Sequence, residues 1–285
     1  MLEYTYIKIT GRISGYEMFD CHVHTCFSGD SRMIAKDACD YAINHSLKGI
    51  AFTDHLDYDF PGLNDTYLMD FDKYSSFMDA LKDEYKNRLK VIKGVEVGLQ
   101  PHVVKKTIEK LSHYSFDYII GSVHIIAGAD PYKDEFYEGK TKKEAYSRYL
   151  EELLYMIDNY NDFDVLGHID FITRYNPYDD RTLIYDDHRE LLDTIFNKLI
   201  LSGKGIEINT AAFRVKAEND RIPGFDINLI KRYRNLGGEI VCLGSDAHAV
   251  DYIGYKFDYF TGILREAGFE YLTYFNDRRP VFEKI

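Results

Sequence analysis

The sequence predicts an α/β protein built as a closed, distorted, TIM-like parallel (β/α)7 barrel, and three observations carry that prediction. Short apolar, β-rich runs alternate with longer segments of helical spacing along the chain, the pattern of a parallel sheet with right-handed crossovers. Seven such runs can be counted. In each of them the His, Asp, Glu or Asn residues follow the apolar part, at the C-terminal end. A parallel barrel gathers those ends on one face, whereas an open doubly wound sheet spreads them along a line.

The first run, YEMFDCHVH (16–24), puts Asp20, His22 and His24 on alternate positions, so on a regular strand they share one face and Cys21 takes the other. A turn-like SGDS follows, with Asp30 in it. The second run, KGIAFTDH (48–55), closes on Asp54 and His55; the third, LKVIKGVEVGL (89–99), carries Glu96; the fourth, FDYIIGSVHII (116–126), carries His124. The fifth, DFDVLGHID (162–170), offers His168 and Asp170. Next, DDHRELLDTIFNKLILSG (186–203) has the helical stripe Leu191, Leu192, Ile195 and Leu199, with Asp186 or Asp187 to cap its start and Gly203 to end it. The sixth run, KGIEINT (204–210), gives Glu207 and Asn209, and the seventh, EIVCLGSDAH (239–248), gives Asp246 and His248. An eight-stranded barrel is the nearest alternative, with FEYLTYF (269–275) as a further strand that holds no candidate ligand.

No repeat, low-complexity stretch or Ser/Pro-rich linker divides the 285 residues, so one domain is expected: an extension over 1–17, the motif-bearing barrel over 18–250 and a helix and strand tail over 251–285. Within the extension, YTYIKIT reads either as an added edge strand or as an oligomerisation segment. A formal net charge of -12 argues against a general nucleic-acid surface, because phosphate-backbone affinity comes from clustered lysine and arginine. The chain shows neither a membrane-spanning apolar run nor a signal-peptide pattern at its start, so a soluble cytoplasmic protein without membrane partners is expected. Cys21, Cys26, Cys39 and Cys242 lack CxxC spacing and read as buried, reduced thiols rather than ligands.

Six of the ten histidines fall at strand ends, while His45, His102, His113 and His188 fall in helical or loop stretches and receive no role. Independent core histidines have no reason to share those ends with carboxylates. Such a cluster in the dry mouth of a barrel needs a cation to offset its desolvation.

The ordered set DxHxH, TDH, GVE, SVH, GHxD and GSDAH resembles the motifs of the PHP (polymerase and histidinol phosphatase) superfamily, from Phe19 to about His248. FSGDS, GHIDFITRY, EINTAAFR and the tail AGFEYLTYFNDRRPV are similar to the stand-alone histidinol-phosphate phosphatases. The resemblance implies a trinuclear centre: His22, His24, Glu96 and Asp246 on the first metal, Glu96 bridging to a second held by His124 and His168, and Asp30, His55 and His248 on the third. Many superfamily members have histidine where this chain has Asp30; a carboxylate still ligates, so the change bears on metal preference. Zinc, iron and manganese all suit these donors. Asp20, Asp54 and Asp170 are expected behind the ligands as acceptors of imidazole N–H groups.

Three divalent cations bring six positive charges; Glu96, Asp30 and Asp246 remove three and a metal-bridging hydroxide a fourth, leaving two to match a phosphate monoester dianion. The expected reaction is in-line attack by that hydroxide, held between the metals of Glu96, His22, His24, His124, His168 and Asp246. Neither GxSxG nor a P-loop is present. By resemblance Arg174 and Arg214, just past the fifth and sixth strand ends, clamp phosphate, and Asn209 hydrogen-bonds substrate. The acidic, aromatic segment 56–72 is expected to recognise the amine and imidazole end of L-histidinol phosphate through its aspartates and tyrosines, with Asp57 and Asp59 as the positions to neutralise in a test. The leading expectation is thus a phosphoric monoester hydrolase of histidine biosynthesis. The alternatives are a PHP phosphoesterase acting on nucleotides or nucleic-acid ends, and a non-catalytic metal-binding module.

Overall fold

The structure is a computed structural model that describes residues 18–62, 68–214 and 221–285; the expectation for YTYIKIT lies outside them. Ten strands are described: β1 (Phe19–Val23), β2 (Gly49–Phe52), β3 (His55–Leu56), β4 (Lys90–Gly98), β5 (Tyr118–Ser122), β6 (Val165–Leu166), β7 (Gly205–Asn209), β8 (Val241–Gly244), β9 (Tyr271–Asn276) and β10 (Arg279–Lys284). Seven helices alternate with them: α1 (Ala35–Asn44), α2 (Phe71–Tyr85), α3 (Val104–Leu111), α4 (Lys142–Asn159), α5 (Arg189–Leu201), α6 (Ile227–Asn235) and α7 (Phe257–Glu266).

The strands run parallel in the order β1-β2-β4-β5-β6-β7-β8, with β3 continuing the line of β2 onto β4. This is the expected seven-stranded sheet. Its two ends nearly meet, because Val23 bridges Ala247, Asp246 N donates to His22 O at 2.7 Å and His24 N donates to Ala247 O at 2.9 Å. Where the second run breaks between β2 and β3, the buried Tyr74 hydroxyl of α2 donates to the carbonyls of Phe52 and Gly94, at 2.9 and 2.7 Å. That contact supplies a partner where the ladder is interrupted.

The barrel interior is filled low down by Phe19, Cys21, Ala51, Ile92, Tyr118, Ile120, Val165 and Cys242. FEYLTYF is not an eighth barrel strand: β9 pairs antiparallel with β10, and its Tyr274 stacks on Phe19 at 3.9 Å while Phe275 stacks on Tyr118 at 5.1 Å. The hairpin closes the N-terminal mouth, opposite the predicted site. On α5, Leu192, Ile195 and Leu199 are buried as the stripe predicts. Its start differs from expectation, since Asp186 and Asp187 lie in a 3-10 turn, and Asp186 pairs with Arg189 at 2.8 Å instead of capping. Gly203 at φ +66° ends the helix as expected.

Candidate metal centre

Nine side chains from six strand ends meet in the C-terminal mouth, in three overlapping groups. In the first, His22 Nε2 and His24 Nε2 are 3.0 Å apart, Glu96 Oε2 lies 3.3 and 3.5 Å from them, and Asp246 Oδ1 lies 3.8 and 3.3 Å from them. In the second, Glu96 turns Oε1 to His168 Nε2 at 2.8 Å and to His124 Nε2 at 3.2 Å. In the third, Asp30 Oδ2 is 3.1 Å from His248 Nε2 and 3.5 Å from His55 Nε2. The His24 ring lies against those of His55 and His248, with centroids at 4.3 and 4.2 Å.

These donors fit divalent cations. Glu96 Oε2 is buried with no hydrogen-bond partner among the described residues. Burial, with His248 and His55 alongside, pushes His24 down to about 3, so its imidazole is neutral and keeps a lone pair to offer. Converging lone pairs and buried carboxylates repel one another unless a cation stands between them.

Local backbone geometry explains how β1 delivers both histidines. Its register shifts between Asp20 and Val23, so the strict alternation expected from the sequence fails. Cys21 faces the barrel interior, where its thiol lies 3.7 Å from Thr273 O, and His22 enters the interior one residue later. Asp20 leaves the set: it accepts from the backbone N–H groups of His22, Ser245 and Gly254 at 3.2, 2.9 and 2.8 Å. Asp54 likewise accepts from Thr25 N and Ser28 N at 2.7 and 3.0 Å, pinning the loop that carries Asp30. Neither meets an imidazole N–H, because each is enclosed by loop amides that need an acceptor. Asp170 is not beside an imidazole nitrogen either; burial pushes its carboxyl up to about 6 against the pull of Arg174. Cys26 is exposed, against expectation, while Cys21, Cys39 and Cys242 are buried and all four are free.

The carboxylates that do orient the histidines are Glu207 and Asp57. Glu207 Oε1 lies 2.6 Å from His22 Nδ1, and Oε2 accepts from His168 N at 2.8 Å. A Cβ on Gly244 would collide with the Glu207 carboxylate and with His22 Cβ, so glycine is what lets this pair approach the β8 backbone. Asp57 Oδ1 lies 2.9 Å from His124 Nδ1 and Oδ2 lies 3.1 Å from His55 Nδ1. Ser28 Oγ is 3.0 Å from His24 Nδ1, and Ser122 Oγ donates to Glu96 Oε1 at 2.7 Å. Asp57 is therefore unavailable to a substrate amine, and the exposed Asp59 pairs with His102 at 3.1 Å. The sequence held a signal for both missed carboxylates, since Asp57 follows His55, and Glu207 precedes Asn209, at the two-residue period of a strand. Glu207→Gln is expected to weaken metal affinity about 10–100-fold, read by titration against a chelator; unchanged affinity would remove Glu207 from the support of the site.

Above the metal-facing groups, a cavity of about 620 Å³ is lined by Arg174, Arg214, Arg181, Tyr132, Tyr175 and Asp246, among others. Arg174 Nη2 donates to Asn209 Oδ1 at 3.0 Å and to Asp246 Oδ2 at 2.8 Å. Arg214 donates to Ser245 O and lies 4.4 Å from the Tyr252 ring centre. Both predicted arginines thus reach the cavity, and Asn209 joins them through Arg174.

The PHP domain family matches residues 20–211. The chain is 31% identical over 258 residues to the histidinol-phosphatase of Lactococcus lactis subsp. lactis (strain IL1403), across 90% of this chain and 94% of that protein. It is 34% identical over 240 residues to a protein of Clostridium acetobutylicum named a probable histidinol-phosphatase, across 84% of this chain and 90% of that one. Among solved structures, it is similar to the histidinol phosphate phosphatase of Lactococcus lactis subsp. lactis complexed with zinc, L-histidinol and phosphate. That match has 30% identity and a TM-score of 0.84, over 93% of this chain and 99% of that chain. The chain therefore belongs to the PHP domain family, among its histidinol-phosphatases.

Proposed function

We propose that this protein hydrolyses L-histidinol phosphate to L-histidinol and phosphate, with three divalent ions drawn from zinc, iron or manganese. The observation that carries it is the sharing of Glu96 between two groups of histidines directly beside Arg174 and its cavity. His22, His24, Glu96 and Asp246 would hold the first ion, Glu96, His124 and His168 the second, and Asp30, His55 and His248 the third. When bound, the ions supply Lewis acidity and a water acidic enough to attack phosphorus at neutral pH.

The chain's own groups do the rest. Asp246 divides its carboxylate, with Oδ1 toward His22 and His24 and Oδ2 toward Arg174, so the residue that helps hold a cation also sets the guanidinium. Asp246 achieves this with a left-handed backbone, φ +55°, a conformation that aspartate tolerates better than most residues. Arg174 and Arg214 hold the phosphoryl oxygens, and Asn209 fixes Arg174. No side-chain nucleophile is required. The reaction belongs to the cytoplasm, in keeping with four free cysteines; among the described residues, no helix is long and apolar enough to cross a membrane.

The test is phosphate release from L-histidinol phosphate beside p-nitrophenyl phosphate, using protein stripped by a chelator and reloaded with each metal in turn. Stripped protein should be inactive, reloading should restore activity, and histidinol phosphate should be the preferred ester. Equal turnover of both esters, or activity that survives chelation, overturns the reading.

A further inference from the structure

We infer that Asp130 is the residue that recognises the cationic aminoalcohol end of the substrate, an inference that rests on the histidinol phosphate reading above. It replaces Asp57 and Asp59, which the structure commits elsewhere.

A second cavity, of about 230 Å³, opens directly over the metal-facing groups and shares Asp30, Tyr132, Arg174, Asp246 and His248 with the arginine-rich one. Arg174 and the metal-facing Asp30, Asp246 and His248 form a floor common to both lobes, where the phosphoryl group is held. The larger lobe adds Arg181, Arg214 and Arg221, whereas the smaller adds Asp130, Phe60 and Phe171, which suit the flat, cationic remainder of the substrate.

Five carboxylates line the smaller lobe. Four are engaged: Asp30 with His248 at 3.1 Å, Asp57 with His124 at 2.9 Å, Glu96 with His168 at 2.8 Å and Asp246 with Arg174 at 2.8 Å. Asp130 is the fifth, and among the described residues no Lys, Arg or His forms an ion pair with it. A substrate ammonium therefore finds in Asp130 a carboxylate whose charge is not already matched.

The chain holds that carboxylate in place. Ile126 and Ala129 exchange two backbone hydrogen bonds of 2.9 Å around Ala127 and Gly128, at φ +50° and +81°, a tight reversal two residues beyond His124. Asp130 Oδ1 then accepts from Tyr132 N at 2.9 Å. The Tyr132 ring packs on Tyr175 at 4.2 Å and edge-on to Phe171 at 5.4 Å, and Phe171 lies 5.2 and 5.0 Å from the rings of His124 and His168. The reversal thus ties Asp130 to the metal-facing histidines through an aromatic wall against which an imidazole can stack.

Asp130→Asn keeps the oxygen that accepts from Tyr132 N and removes only the charge. It should raise KM for L-histidinol phosphate, and weaken L-histidinol binding measured by calorimetry, about tenfold or more. Turnover of p-nitrophenyl phosphate, which has no cation, and binding of inorganic phosphate should not change. An equal loss on both esters would make Asp130 a support of the turn only, and no loss on either would remove it from recognition; both results overturn the inference. If the unaltered protein shows no preference for histidinol phosphate, the substrate reading fails first, and the calorimetric comparison of L-histidinol still decides whether Asp130 binds a cationic aminoalcohol.

Discussion

Glu96→Gln is expected to lower turnover about 10²–10⁴-fold, the range for removing one partner from a buried charged network, and to strip bound metal measured by elemental analysis. The carboxylate touches both sides of the centre: Oε2 faces His22, His24 and His55 at 3.3, 3.5 and 3.1 Å, and Oε1 faces His168 and His124 at 2.8 and 3.2 Å. Glutamine has the same shape. It brings one neutral oxygen and an N–H₂ group that either donates to an imidazole lone pair, taking it from the cation, or aims protons at the cation itself, so the site loses charge and a ligand at once. Burial sharpens the effect, because Glu96 is 1% exposed and water cannot substitute for the lost charge. Protein that keeps full metal content and full turnover after this change would show that the two groups of histidines do not share an ion through Glu96.

Most of this site could be read from spacing alone, because strand ends in a parallel barrel converge whatever the connecting loops do. The nine ligand candidates lie at six strand-end segments spread from residue 22 to residue 248, and the structure brings them into one mouth. What the sequence concealed was direction. Asp20 and Asp54 stand beside histidines in the chain, yet each turns to loop amides, since a β-strand irregularity and a broken strand put unpaired N–H groups around them. Glu207 and Asp57 hold the imidazole Nδ1 atoms instead. Partners of that kind depend on rotamers and close approach, as the glycine at position 244 shows; the two-residue period that marks Asp57 and Glu207 marks Asp20 equally, so spacing alone does not say which carboxylate reaches an imidazole. The role of β9 was hidden for a related reason. An apolar run that plugs the mouth of a barrel has the same composition as one that joins its wall, and only pairing with β10 separates the two.

Arg174→Met is expected to lower kcat/KM for phosphate ester hydrolysis about 10²–10³-fold, the cost of removing one preorganised donor to a charge that builds up in the transition state, while leaving most of the metal in place. The separation of the two effects follows from geometry. Arg174 contacts Asp246 through Oδ2 at 2.8 Å, whereas Oδ1 is the atom turned to His22 and His24. The side chain rises from the 3-10 turn Phe171–Thr173 with its guanidinium 5.0 Å from the Phe171 ring centre, and its Nε is buried with no hydrogen-bond partner among the described residues. A planar group held by stacking and by two oxygens, with a donor to spare beside the cavity, is set to grip an incoming anion without reorganising. Arg174→Lys tests the fork itself: it restores a point charge but not the paired donors, so it should recover only part of the loss. Inorganic phosphate should inhibit both variants more weakly than it inhibits the unaltered enzyme. Wild-type kinetics in Arg174→Met would instead leave the arginine as an anchor for Asn209 and the β7 loop, and would shift phosphate binding onto Arg214.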